Sequence, residues 1–330
     1  MKPFPGPAKT LLPALALLIA AGPLLSEIRL EQTRAAMGTQ FTIVAYGDDE
    51  SYLQSAVSAA FDEIFRLDRE WSDYIEESDI SFINRHAAEE PVKVDPELFR
   101  MLSTCLEYSR ETGGAFDITV GPLLRVWGFY RGTGRLPKSE EIKAALGAVG
   151  WQKVRLDPRS RTVSFAAAGM KLDLGGIGKG YAIDRAAAVL REAGVTAALL
   201  LSGTSSIVAI GAPPGQEAWT VNIRDPKDAH KSAGQVMLKD ASLSASGSYE
   251  KFFKADGKTY SHIFDPRTGY PVQGVLSVTV VGSSGTETDA LSTSLFVLGK
   301  EESAYYLRKH PGIRALYCTE AGCEWLGRAH

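Results

Sequence analysis

Three stretches of the chain combine residue types and spacings that suit phosphate and hydroxyl chemistry. The first is Asp173-Leu174-Gly175-Gly176-Ile177-Gly178-Lys179-Gly180. Glycines let a phosphate or another backbone approach closely, and a helix start offers unpaired N–H groups at the positive end of a dipole. Asp173 can bind hydroxyl or amine groups, and Lys179 can neutralise a phosphate. The loop fits neither common nucleotide fingerprint. Asp173 stands where G-x-x-x-x-G-K-[ST] needs its first glycine, and Gly180 falls one residue early for G-x-G-x-x-G. The glycines alone favour a plain strand-to-helix turn; Asp173 and Lys179 add the chemistry.

The second stretch is Thr286-Glu287-Thr288-Asp289-Ala290-Leu291-Ser292-Thr293. Asp289 and Thr293 are four apart and share one face of a helix. A carboxylate with hydroxyl oxygens suits a hard divalent ion such as Mg²⁺. Taken alone, the stretch reads more simply as a helix start capped by Thr288, with Asp289 complementing the dipole. The third is Ser261-His262-Ile263-Phe264-Asp265-Pro266-Arg267-Thr268-Gly269. A neutral His262 imidazole can take a proton from a hydroxyl near pH 7, or it can simply brace the turn. Arg267 can bind phosphate or pair with Asp265. Trp71-Ser72-Asp73-Tyr74 and Gly114-Ala115-Phe116-Asp117 hold aromatics suited to stacking on a planar ring or to filling a core.

The elements that must position these residues follow from periodicity. Strands are expected within 28–46, then at 151–156, 162–165, 171–174, 197–201, 219–223, 236–238 and 276–281. Helices are expected at 51–67, at 96–110 with Asp95 as N-cap and Pro96 in the first turn, at 181–193 and at 288–298. Hairpin-like strand pairs with scattered helices indicate an α+β fold rather than a doubly wound parallel sheet.

With 330 residues, 45% hydrophobic and 23% charged, the chain can bury a large core, and wholesale disorder is excluded. Its 36 basic and 39 acidic residues give a net charge of −3, and no basic tract stands out, so an electrostatic nucleic-acid binder is excluded. Lys2 and Lys9 precede an apolar run from Leu11 to Leu25 broken by Pro13 and Pro23. Residues 1–26 therefore read as an export signal or a retained amino-terminal anchor, followed by one folded domain at 27–330. The expected location is the periplasm, free or tethered to the inner membrane. In an oxidising compartment Cys318 and Cys323 can close a small-loop disulfide. Cys105 sits in a helical apolar pattern and is expected in the core.

Taken in order, Met37-Gly38-Thr39, Trp71-Ser72-Asp73-Tyr74, Gly114-Ala115-Phe116-Asp117, the Gly-rich loop, the His262 stretch and Asp289-Ala290-Leu291-Ser292-Thr293 resemble the ApbE-type FAD:protein FMN transferases. The resemblance spans roughly residues 30 to 325 and implies a T-fold-like α+β architecture that binds one FAD and Mg²⁺. It implies FAD contacts from Met37, Tyr74, Ala115, Phe116, Asp117, Asp173, Lys179 and Ile263. It also implies metal ligation by the Gly176 carbonyl, Asp289 and Thr293, with Ser292 as a further candidate. His262, the one histidine within these motifs, is the expected catalytic base. The implied reaction moves the FMN half of FAD to a Thr or Ser hydroxyl of a target redox subunit and releases AMP. Hydrolysis of FAD to FMN and AMP and non-catalytic flavin carriage are the rival expectations. Where the family often has Gly-Gly-Asp or Gly-Gly-Asn, this chain has Gly203-Thr204-Ser205-Ser206, and Ser206 is assigned no role.

Overall fold

The computed structural model describes residues 27–328, so the expected export signal lies outside the described residues. The described chain begins with the hairpin β1 (Ile28–Ala36) and β2 (Thr39–Gly47), then α1 (Glu50–Trp71) and α2 (Asp79–His86). Next come β3 (Val92–Lys93), α3 (Pro96–Glu111), α4 (Gly121–Val126), α5 (Ser139–Gly147) and the hairpin β4 (Val154–Asp157) and β5 (Thr162–Phe165). Helix α6 (Gly178–Glu192) leads into β6 (Ala197–Ser202), β7 (Ser206–Ile210), β8 (Trp219–Arg224), β9 (Ser232–Leu238) and β10 (Ser242–Gly247). Two ribbons follow, β11 (Phe252–Ala255) with β12 (Lys258–Ser261), and β13 (Phe264–Asp265) with β14 (Tyr270–Pro271). The chain closes with β15 (Val275–Gly282), α7 (Gly285–Leu298), α8 (Lys300–Lys309), β16 (Arg314–Thr319) and β17 (Gly322–Leu326).

Eight strands form one antiparallel sheet in the order β1-β2-β6-β7-β10-β15-β16-β17. Both faces of the sheet are covered. On β2, Phe41, Ile43 and Ala45 join the core shared with α1 and α6, while Val44 faces the cluster built by Trp219, Val221 and Val236 of the β8–β9 ribbon. The period-two alternation of a strand assigns these faces. Burial on both sides also explains why β6 reads as a continuous apolar run. The α+β expectation holds, with antiparallel sheets flanked by helices.

Most expected elements are present, and their ends are explicable. Asp49 caps α1 by accepting from Tyr52 N–H, and Asp95 caps α3 by accepting from Glu97 and Leu98 N–H. Four expectations need correction. Trp151–Lys153 form a single 3-10 turn, so the strand expected at 151–156 begins only at Val154. Residues 171–174 are not a strand: Leu172 pairs with the side-chain amide of Asn84, and Asp173 N–H bonds the Ile118 carbonyl. Helix α6 starts at Gly178 rather than Tyr181, so the glycines form its first turn. Helix α7 starts at Gly285 with Ser284 as N-cap, so Thr288 is no cap and Asp289 lies in the second turn. Cys318 and Cys323 face each other across β16–β17 and are disulfide-bonded. Cys105 is buried beside Met101 on α3, and burial pushes its thiol pKa up, which keeps it inert.

Candidate functional site

The starts of α6 and α7 meet. Gly180 N–H donates to Asp289 Oδ2 at 2.9 Å, across 109 residues of sequence. In return Gly285 N–H donates to Asp184 Oδ1 at 2.7 Å, and the Thr286 N–H and hydroxyl donate to Asp184 Oδ2 at 2.8 and 2.6 Å. The backbones touch, because a Cβ on Gly180 would lie 2.1 Å from the Gly285 carbonyl oxygen. Only glycine permits that approach.

Gly176 lies within the same group. A Cβ there would sit 3.4 Å from Thr293 Oγ1 and 3.4 Å from Phe116 Cε2. Thr293 Oγ1 is also 3.3 Å from Ser246 Oγ on β10. Ser292 is fully buried; its hydroxyl meets the Asp289 carbonyl and Ser246 Oγ, both at 2.9 Å. Its oxygen is thus engaged in the helix-to-sheet contact. Gly176, Asp289 and Thr293 therefore converge. Among the described residues no three His, Cys, Asp or Glu side chains form a metal cage. A cation here would rest on one carboxylate, a hydroxyl and a carbonyl, a hard-oxygen set that fits Mg²⁺ completed by water and substrate phosphate.

Asp173 and Lys179 border this group. Asp173 Oδ1 accepts from Gly175 N–H at 2.7 Å, and Lys179 Nζ donates to the Gly175 carbonyl at 3.1 Å. Burial raises the pKa of Asp173, opposed by the Gly175 hydrogen bond and by the charges of Arg125, Lys179 and Lys251. Asp73 is a second carboxylate in the same neighbourhood. Burial, then the charge of Asp173, push it up to about 7. Among the described residues its buried Oδ2 has no hydrogen-bond partner, and it lies 3.7 Å from Arg125 Nη2. The adjoining Tyr74 stacks on Tyr130 at 4.8 Å, and the Arg125 guanidinium lies 3.8 Å over the other ring of that pair. Tyr130 hydroxyl holds the Asp73 carbonyl at 2.7 Å, which fixes the turn that presents Tyr74. Tyr74 is 43% exposed, so its ring remains open to a planar ligand.

His262 directly follows β12 and is tied to the other end of its ribbon. Its N–H donates to the Lys251 carbonyl at 3.0 Å, and Nδ1 lies 3.3 Å from the same oxygen. A carbonyl only accepts, so this contact needs the proton on Nδ1 and leaves Nε2 as the acceptor. Burial, then the charge of Lys251, hold the imidazole down to about 4. Lys179 acts on it in the same sense, which places His262 within electrostatic reach of the Gly-rich loop. Phe129 stands edge-on to the ring at 6.4 Å, part of an aromatic cluster centred on Trp127. Arg267 pairs with Asp265 through two bonds of 2.8 and 3.0 Å, the second of its two sequence readings.

The remaining expected contacts divide. Ala115 and Ile263 pack in one cluster with Leu291 of α7. The Asp117 carboxylate ties its own loop to the turn before β4, accepting from Thr119 N–H, Thr119 hydroxyl and Trp151 N–H. Met37 adopts a positive φ of 48° in the β1–β2 turn, and its N–H bonds Asp68. An open cleft of about 590 Å³ lies there, lined by Met37, Thr39 and Asp68 among others. Sequence reasoning missed Asp184, Asp73, Arg125, Lys251 and Ser246. One signal was available: Gly180-x-x-x-Asp184 and Gly285-x-x-x-Asp289 repeat the same spacing.

Comparison with known proteins places this geometry in context. The model of the ApbE family matches residues 37–317. A Treponema pallidum protein named FAD:protein FMN transferase is 35% identical over 280 residues, covering 79% of this chain and 77% of its own. A Klebsiella pneumoniae protein of the same name is 32% identical over 292 residues, covering 86% and 87%. The crystal structure of an ApbE protein from Thermotoga maritima superposes with a TM-score of 0.83 at 33% identity, covering 91% of this chain and 97% of that one. The apo flavinyl transferase ApbE of Pseudomonas stutzeri gives 0.78 at 30% identity, covering 92% and 95%.

Proposed function

The chain belongs to the ApbE family, and on that premise we propose that it is an FAD:protein FMN transferase acting on a Thr or Ser hydroxyl of a target redox protein. The observation that carries the reading is the convergence of Gly176, Asp289 and Thr293 at the paired starts of α6 and α7. Lys179 and the dipole of α6 supply positive potential for a diphosphate, the first-turn N–H groups of α7 being taken by Asp184 and Ser284. Asp289, Thr293 and the Gly176 carbonyl would hold Mg²⁺, which when bound neutralises charge on the diphosphate oxygens. Tyr74 offers a ring face to the flavin or adenine.

In the reaction the acceptor hydroxyl oxygen bonds to the FMN phosphorus. The bond from that phosphorus to the bridging oxygen breaks, and AMP leaves with the bridging oxygen. His262 Nε2 takes the hydroxyl proton. An imidazole held down to about 4 stays neutral throughout the physiological range, so Nε2 is free to accept; the same shift weakens it as a base, and it takes the proton as the new phosphorus–oxygen bond forms. The export reading is supported by the Cys318–Cys323 disulfide, which suits an oxidising compartment.

The test mixes the protein, FAD and Mg²⁺ with a candidate redox subunit and reads flavin fluorescence in a denaturing gel. A covalent fluorescent band that EDTA abolishes is expected. Free AMP without such a band would establish hydrolysis instead. Asp289→Ala should remove Mg²⁺-dependent turnover, and full activity of that variant in EDTA would refute the metal assignment. His262→Ala should retain FAD binding and lose transfer by about 10² or more; unchanged turnover would reject the base.

A further inference from the structure

Helices α6 and α7 start with the same Gly-x-x-x-Asp spacing, Gly180 to Asp184 and Gly285 to Asp289. The structure crosses the two motifs. Each aspartate accepts from the opposing glycine's N–H, and the carbonyl of each glycine abuts the other's Cα. First-turn N–H groups have no partner within their own helix. The N-cap of α6 is Ile177, which offers no capping side chain, so Asp289 does part of that work from across the junction.

The two carboxylates are not equivalent. Both oxygens of Asp184 are engaged: together they accept three hydrogen bonds, from Gly285 N–H, Thr286 N–H and Thr286 hydroxyl. Asp289 accepts only through Oδ2, and among the described residues no protein group donates to its Oδ1. Thr293, four residues on, presents its hydroxyl beside Gly176 on the same face. The crossing thus leaves one free carboxylate oxygen at the site and uses the other aspartate entirely for structure.

We propose that Asp184 is a positioning residue for the Asp289–Thr293 face of α7, fixing the rotation and height of that helix against the Gly176–Gly180 loop. This rests on the reading of Asp289 as a cation ligand. Groups that orient a metal's ligands without touching it commonly change metal affinity by about 10- to 100-fold when removed. Asp184 acts through the α7 backbone: its three bonds lie within the first turn, and Asp289 and Thr293 follow in the next two. Loss of those bonds lets α7 turn or slide, and the three oxygen donors no longer face one point.

The test titrates Mg²⁺ into the full chain with FAD and follows flavin fluorescence polarisation, with AMP release measured in parallel. Asp184→Asn keeps the size but turns an amide donor toward N–H groups, so at most one acceptor oxygen remains. Its half-saturating Mg²⁺ should rise about 10- to 100-fold, while FAD affinity in EDTA stays at the parent value. Cys323→Ser, which opens the distant β16–β17 disulfide, should leave half-saturating Mg²⁺ unchanged and so controls for general loosening. If Asp184→Asn does not fold, Thr286→Val removes one of the three bonds and should still raise half-saturation by about threefold, a fraction of the full effect. A parent protein that responds to Mg²⁺ beside variants that saturate at the same concentration would overturn the positioning role alone. A parent that shows no Mg²⁺ response would overturn the reading of Asp289 and this inference with it.

Discussion

The α6–α7 junction and the aromatic cluster around Trp127 each carry one half of the proposed chemistry, and they hold it by opposite means. At the junction two backbones touch through Gly180 and Gly285, and carboxylate-to-amide bonds of 2.7 to 2.9 Å fix their relation. Around Trp127, the rings of Phe253, Tyr260, Phe264 and Tyr270 lie 5.5 to 6.3 Å away and position the ribbon that bears His262. Hydrogen bonds and glycine contacts are directional and intolerant of tenths of an ångström. Aromatic pairs have preferred tilts but tolerate centroid separations of roughly 4.5 to 7 Å, a wider range than a hydrogen bond allows. The ligand half is therefore rigidly built into the main layer of the fold. The base half sits on ribbons that are not strands of the eight-stranded sheet.

The strongest way to break that contrast is Gly180→Ala. Its Cβ would meet the backbone of Gly285, so the helices must separate. A stability loss on the order of 3 kcal/mol by urea unfolding is expected, together with loss of Mg²⁺-dependent turnover. The matching change on the other side is Phe129→Leu, beside His262 in a buried apolar setting. It should cost about 1 kcal/mol and slow transfer less than tenfold, with half-saturating Mg²⁺ unchanged. Equal losses from the two substitutions would erase the distinction.

A smaller effect sharpens it. Lys251 helps hold the His262 imidazole at its depressed value of about 4. Lys251→Gln removes that charge, so the imidazole pKa rises and protonation begins at higher pH. The protonated ring cannot accept the hydroxyl proton. The acid limb of the transfer-rate profile, measured from pH 4.5 to 8, should therefore move upward while the rate at pH 8 holds. A profile identical to the parent would detach Lys251 from His262.

Much of the site was legible because local chemistry announces itself. The Gly-rich loop, the four-residue spacing of Asp289 and Thr293, and His262 in its polar turn stand out by residue type alone. What escaped was set by tertiary partners. Asp184 bonds Gly285 and Thr286, which lie 101 and 102 residues away, and only the repeated Gly-x-x-x-Asp spacing points to such a contact. Helix α7 starts earlier than its glycine and β-branched threonines suggest because Ser284 caps it locally, accepting from Glu287 N–H, and Asp184 adds a second cap from α6. Lys171-Leu172-Asp173-Leu174 alternates like a strand, and Leu172 and Leu174 are indeed buried. Its backbone partners, however, are the Asn84 side chain and the Ile118 carbonyl rather than a ladder. The ribbons β11 to β14 are two to four residues long, too short for periodicity to register.

The most direct measurement is anomalous diffraction from crystals grown with FAD and Mn²⁺ in place of Mg²⁺. The account predicts one strong peak within coordination distance of the Gly176 carbonyl, Asp289 Oδ1 and Thr293 Oγ1, beside the diphosphate of the bound dinucleotide. A diphosphate bound without a peak there, or a peak that leaves Asp289 untouched, would contradict it.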